Sequence, residues 1–469
     1  MLRILPVIST LFAVIVFAAL TVSFALTRPS IDIEKRLPGA DNAGVQTAAA
    51  RVNIAGRFKP SDGQPSSLNG SWPCFRGESF DNIVTEPTPL SDQWPETGPR
   101  VLWTLPLGDG HAGAAVRHGR VYLLDYNLKA RADALLCLSL DDGKEIWRRE
   151  YDVSIKRNHG MSRTVPTVND RYVVSIGPKC QVLCADALTG DFKWGIDLVA
   201  DYGATVPLWY TAQCPLVDGD TVVLAPGGPD ALLIGVDIET GNVKWKTPNP
   251  KKWLMSHTCI APMTFHQKRI YLYSAIGGIV GVSDDGSGRA ILESDVWTFS
   301  VLAPTPVPLP DNRLFVTAGY GVGSAVLKID SSGDGLSLAM ENRLDRSQFA
   351  CEQHTPVFYN GALFTVMPKD SGALRQQAVC MAPDGALLWS SGKDKRFGLG
   401  PFIIADGKMY ILDDNGDLTM IRASTTGYEE LGRVRIVDGR DPWAPLAIAS
   451  GRLLLRDETL MKCLDISKP

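Results

Sequence analysis

The chain has 469 residues, 45% of them hydrophobic and 21% charged, with a formal net charge of -4 at pH 7. That balance suits a globular protein and gives no electrostatic reason to expect nucleic-acid binding, which usually needs a basic patch. Nine scattered cysteines, an odd number with no CxxC, exclude a disulfide framework and read mostly as small buried apolar residues.

Behind Arg3, residues 4–26 form an uncharged apolar run long enough to cross a bilayer core with some tilt. The run predicts export and an uncleaved membrane anchor. The "SFA" at 23–25 offers a cleaved signal segment as the alternative, with a secreted product. Residues 27–71 carry no sustained periodicity and many Ser, Gly, Pro, Asn and Asp, which predicts a disordered tether. A lead-in segment at 72–98 precedes a folded domain at 99–469 that it is expected to pack upon.

From about residue 100 the chain repeats. "LSLDDGKEIW" (138–147), "ADALTGDFKW" (185–194) and "VDIETGNVKW" (236–245) each read as strand, glycine turn and strand with a closing Trp, and "APDGALLW" (382–389) is a shorter copy. Prolines that open strands recur at Pro166, Pro215, Pro262, Pro306, Pro356, Pro401 and Pro445, where no ladder donor is lost. A tight turn follows each of them, and "RHGR" at 117–120 marks one more unit. Eight units of four short strands with a period in the mid-forties predict an all-β, eight-bladed β-propeller of four-stranded antiparallel blades. The last unit, ending "LMKCLDISKP", is one strand short. "PRVLWTLPLG" (99–108), whose Trp103 matches the closing Trp of the other units, is the expected missing outer strand, so that pairing of the two ends closes the ring.

The D-x-x-T-G-x-x-x-W turns at 186–194 and 237–245 resemble the repeat of the pyrroloquinoline-quinone-like propellers, and the resemblance covers about 72–469. The lead-in "SWPCFRGESFDN" is similar to that of exported bacterial members. The family includes quinone-dependent alcohol dehydrogenases and non-enzymatic members such as the outer-membrane barrel-assembly lipoprotein, so the resemblance implies the fold more than a function. The dehydrogenases resemble one another in a pair of adjacent cysteines, a calcium site and an aspartate base. No two cysteines here are adjacent, and no calcium motif is recognisable, so pyrroloquinoline quinone with calcium is not expected and the cofactor is left open.

Loops leading into the inner strands of a propeller gather on one face around the channel mouth. In the repeat, His111, His159, His257 and His354 fall in such loops, and His118 and His266 fall in the opposite turns. Arg163, Trp209, Gln213, Glu352 and Trp443 join the mouth group, which reads as a ligand- or partner-binding face. His257, Cys259, Cys351 and His354 supply a possible soft-metal set. The resulting expectation is a non-catalytic binding or assembly module, with a protein partner or small ligand at the mouth. The alternative is a quinone- or metal-dependent oxidoreductase, or a hydrolase or lyase using Glu352 and His354 at the same face.

Overall fold

The computed structural model describes residues 16–19, 21, 51–156 and 161–468. It divides into a unit at Met1–Val45 and a unit at Gln46–Pro469. In the first unit only a few helical residues are described, so the predicted anchor lies almost wholly outside the described residues, as do positions 27–50 of the predicted tether. Among the described residues no helix is long and apolar enough to cross a membrane.

The second unit is an eight-bladed β-propeller. Blade 2 shows the common plan: Thr167–Val168 innermost, then Tyr172–Ile176, Gln181–Asp186 and Phe192–Asp197, all antiparallel. The predicted closure is present. Blade 8 takes Ala447–Ala449, Arg452–Arg456 and Leu460–Asp465 from the C-terminal end, and Arg100–Pro106 as its outer strand.

The repeated glycine and tryptophan explain how blades dock. Gly143, Gly190 and Gly241 have φ of 69°, 75° and 72°, which the turn requires and side chains resist. A Cβ at each would lie 2.7 Å from the ring of Trp103, Trp147 or Trp194, the closing Trp of the preceding blade. Gly288 makes the same cradle for Trp245. The indole Nε1 of Trp103 donates to the Leu140 carbonyl at 3.0 Å, and that of Trp194 to Ile238 at 2.8 Å. Where a blade lacks its Trp, something else fills the gap: Leu344 of blade 5 sits at Gly385 of blade 6. In blade 7, Trp94 from the lead-in segment lies over Gly432 and against Tyr410.

Two strands are added beyond the repeat. Arg57–Pro60, inside the predicted tether, pairs with the outer strand of blade 1, Glu145–Asp152, so residues 51–71 belong to the folded unit rather than to a free linker. Phe58 there stacks under the Arg149 guanidinium. Ile83–Val84 pairs in parallel with Phe402–Ala405, the inner strand of blade 7.

The lead-in segment does more than pack on the outside. Trp72 bridges Val116 in the inner strand of blade 1. Arg76, buried, donates to the carbonyls of Thr355 and Pro356 at the start of blade 6. The chain then reaches blade 7 through Ile83–Val84. Residues 72–84 therefore cross the central channel, a course the sequence left unassigned.

Candidate functional site

A four-stranded meander sends the loops before strand one and the turns between strands two and three to the same face. On that face lies a cavity of about 330 Å³. His111, Arg163, Trp209, His257, Glu352, His354 and Trp443, all expected at the mouth, line it. His118 and His266 lie in the opposite turns, bonded to Asp170 and to the Ile329 carbonyl. His159 lies outside the described residues. Gln213 does not reach the cavity: its amide is clamped on both ends to the Ala225 peptide, at 3.1 and 2.9 Å, in the second sheet position of blade 3.

The aromatic walls are built deliberately. Trp209 stacks on His257 at 6.0 Å and on Tyr320 at 5.9 Å. His111 packs at 5.4 Å against Trp443, whose indole donates to Asp414 at 2.9 Å. Trp209 and Tyr320 hold left-handed backbone, with φ of 64° and 56°, and so does Tyr210 at 69°. Each such residue costs roughly 1–3 kcal/mol and persists where the surroundings over-determine it. Here the Tyr210 hydroxyl does so, donating to the Lys156 carbonyl at 2.8 Å and accepting from the Lys156 N–H at 2.9 Å.

Tyr320 and Lys369 come from turns between second and third strands, and Phe75 from the lead-in segment, so attention to the inner-strand loops alone missed them. The parity of the meander was the signal for the first two. Glycine helps as well: a Cβ on Gly319 would sit 2.6 Å from the Glu352 side chain.

The cavity keeps the His257 and His354 imidazoles neutral and its guanidinium charged. Burial, with the neighbouring Arg163 charge, pushes His257 down to about 4 against a bond to the Leu208 carbonyl. Burial and Arg76 push His354 down to about 4. Burial lowers Arg163 only to about 10, so it remains a cation at neutral pH. Burial raises the Glu352 carboxyl, partly offset by Lys369. His257 Nδ1 and His354 Nε2 are buried without a hydrogen-bond partner among the described residues.

His257, Cys259 and His354 of the expected metal set line the cavity, whereas the Cys351 sulfur turns away to the Thr365 hydroxyl at 2.9 Å. Among the described residues no group of three or more His, Cys, Asp or Glu could hold a metal ion. Calcium asks for six to eight oxygens. The cavity lining offers the side-chain oxygens of Glu352, Gln353 and Tyr320 only, so its residues do not fit a calcium–quinone pair.

The loop behind Arg163 is anchored by a buried carboxylate. Asp133 accepts from Ser162 and, at 3.0 Å, from Tyr151, under Gly177, where a Cβ would strike the Tyr151 hydroxyl. Burial raises Asp133 to about 7 from 3.8, against those two bonds. The folded state therefore holds a proton that the unfolded chain has lost, and stability falls as pH rises through that window, by up to about 1.4 kcal/mol per unit. Asp133→Asn should flatten this slope. Its urea midpoint relative to wild type should rise between pH 4 and pH 8, and parallel pH profiles would refute the assignment.

A family model described as outer membrane protein assembly factor BamB matches residues 131–333. No curated protein matches the chain. Among solved structures it is similar to BamB from Moraxella catarrhalis, with 12% identity and a TM-score of 0.52 over 78% of this chain and 99% of that one. It is also similar to a europium-containing methanol dehydrogenase, with 13% identity and a TM-score of 0.57 over 84% and 89% of the two chains. A third is the quinohemoprotein alcohol dehydrogenase ADHIIG from Pseudomonas putida HK5, with 13% identity and a TM-score of 0.55 over 85% and 81%. Identities this low carry the fold alone. The repeated turn, the glycine–tryptophan docking and the family-model match over 131–333 support a PQQ-like β-propeller.

Proposed function

We propose that this protein is an exported, membrane-tethered, non-catalytic binding module that holds a carboxylate with an apolar body in its channel-mouth cavity. The carboxylate belongs either to a small ligand or to the acidic terminus of a protein partner. The observation that carries this reading is the convergence of a charged guanidinium with stacked aromatic walls in one cavity: Arg163 beside Trp209, Tyr320 and Trp443. A guanidinium pairs a carboxylate bidentately, and an aromatic-walled concavity of this size is the usual form of a ligand site. The left-handed backbone at Trp209, which lies outside the strands, supports the same reading. The likeness to an assembly factor supports a partner, and the apolar run at 4–26 supports export and a tether.

Calorimetric titration tests this. Phenylacetate and a short peptide ending in Phe with a free carboxylate should bind, either one sufficing, and their amides should bind at least about tenfold more weakly. Arg163→Met should remove the preference for the acid while the thermal midpoint holds. Equal binding of acid and amide, or an acid preference that survives in Arg163→Met, would overturn the reading. Two outcomes separate the sources: the free acid alone, or the peptide alone.

A further inference from the structure

We infer that Cys214 and Cys259 form a reversible redox pair in the floor of the channel-mouth cavity, closed to a disulfide by exchange with a small dialkyl disulfide that enters through the mouth. This goes beyond the binding reading and does not depend on it.

The two cysteines stand in the mouth loops of neighbouring blades 3 and 4. The backbone N–H of Cys214 donates to Cys259 Sγ at 3.3 Å, and each thiol lies close enough to perturb the ionisation of the other. Both sulfurs approach one acceptor, the Ala212 carbonyl, at 3.7 and 3.9 Å. Two sulfurs that share one acceptor across a blade boundary are neighbours, the arrangement from which a disulfide is built.

Access separates this pair from the other cysteines. All nine are free and buried, but only Cys214 and Cys259 line the cavity. Cys180 and Cys351 are engaged with the Thr211 and Thr365 hydroxyls. Cys184 faces the Ile238 carbonyl, inside the sheet packing. Cys74 bonds to the Gly77 carbonyl and shares a small adjoining pocket with the pair, but does not line the mouth cavity.

The surroundings also assign the roles. Burial works against a thiolate at both positions. At Cys259 it is outweighed by the Cys214 thiol and N–H and by the Arg76 charge, which hold that thiol below its ordinary value. Burial and the adjacent Cys259 push Cys214 well up. With the Cys214 N–H donated to its sulfur and the Arg76 charge near it, Cys259 is the attacking thiolate and Cys214 the resolving thiol. Cys259 sulfur attacks one sulfur of the incoming disulfide, forming a mixed disulfide and releasing one thiolate. Cys214 gives its proton to that thiolate and attacks Cys259 sulfur, expelling the second. The protein loses two thiol hydrogens and two electrons, and one small disulfide becomes two thiols.

The test uses the purified full chain with hydroxyethyl disulfide, followed by denaturing thiol counting and peptide mapping. Two of the nine thiols should disappear, the cross-link should map to Cys214–Cys259, and dithiothreitol should restore both. Cys214→Ser should trap one hydroxyethylthio group on Cys259. Cys259→Ser should react at least about tenfold more slowly. Persistence of all nine thiols, stable adducts without a cross-link on the wild type, or a link through another cysteine such as Cys74 would overturn the inference. Wild-type mapping decides it even if a variant folds poorly.

Discussion

Deletion of 100–106 should make the propeller aggregate. That strand pairs with Leu460–Asp465 along its length, and without it blade 8 ends in an open edge. The same strand carries Trp103, buried against Gly143 of blade 1 and bonded to the Leu140 carbonyl. Loss of that indole alone is worth about 3–5 kcal/mol. The deletion removes the indole, the ladder and the covalent seam of the ring together. Trp103→Ala measures the docking share: its urea midpoint should fall by an amount equivalent to about 3–5 kcal/mol while the ring stays closed. A deletion variant that remains monomeric with an unchanged thermal midpoint would show that the ends do not hold the ring.

Arg76→Met should be the most damaging single substitution in the lead-in segment. The guanidinium is buried and donates to four carbonyls: Phe80 at 2.9 Å, Asp81 at 3.1 Å, Thr355 at 3.2 Å and Pro356 at 3.3 Å. The first two fold the segment on itself and the last two fix it to blade 6. Methionine fills similar volume but leaves four acceptors to find other partners. A cost of about 3–5 kcal/mol is expected from such an uncompensated set. Burial pushes Arg76 down to about 10, so the group is charged across the physiological range and the loss should not depend on pH between 6 and 8. The structural readout is hydrogen exchange: the amide of Asn82, bonded to the Arg76 carbonyl, should lose protection before the inner strands do. Unchanged protection there would refute the clamp.

Ring closure and blade number were legible because the repeat is periodic and Trp103 carries the same mark as Trp147, Trp194 and Trp245. The mouth was legible because proline fixes where most inner strands begin, which set Arg163, His257, Glu352 and His354 on one face, and the turn at 117–120 placed His111 with them. Side-chain direction was not. Gln213 stands one residue before Cys214, yet it bonds the sheet behind while Cys214 faces the cavity. Trp94, Phe75 and Arg57–Pro60 were hidden because they lie outside the repeat. The four residues of that strand are all exposed, so no buried alternation marked it. Trp94 replaces a tryptophan that blade 7 lacks, and only a three-dimensional neighbour, Gly432, reveals the substitution.

The course of residues 72–84 across the channel changes what the propeller is. With Phe75 lining the cavity and Arg76 fastened to blade 6, the segment partitions the channel below the mouth. An occupant of the cavity would then use the mouth face for arrival and for departure alike. A macromolecule seated on the rim would act as a stopper, slowing release without touching the occupant. Occupancy and rim docking would then be ordered events, with the small species first in and last out.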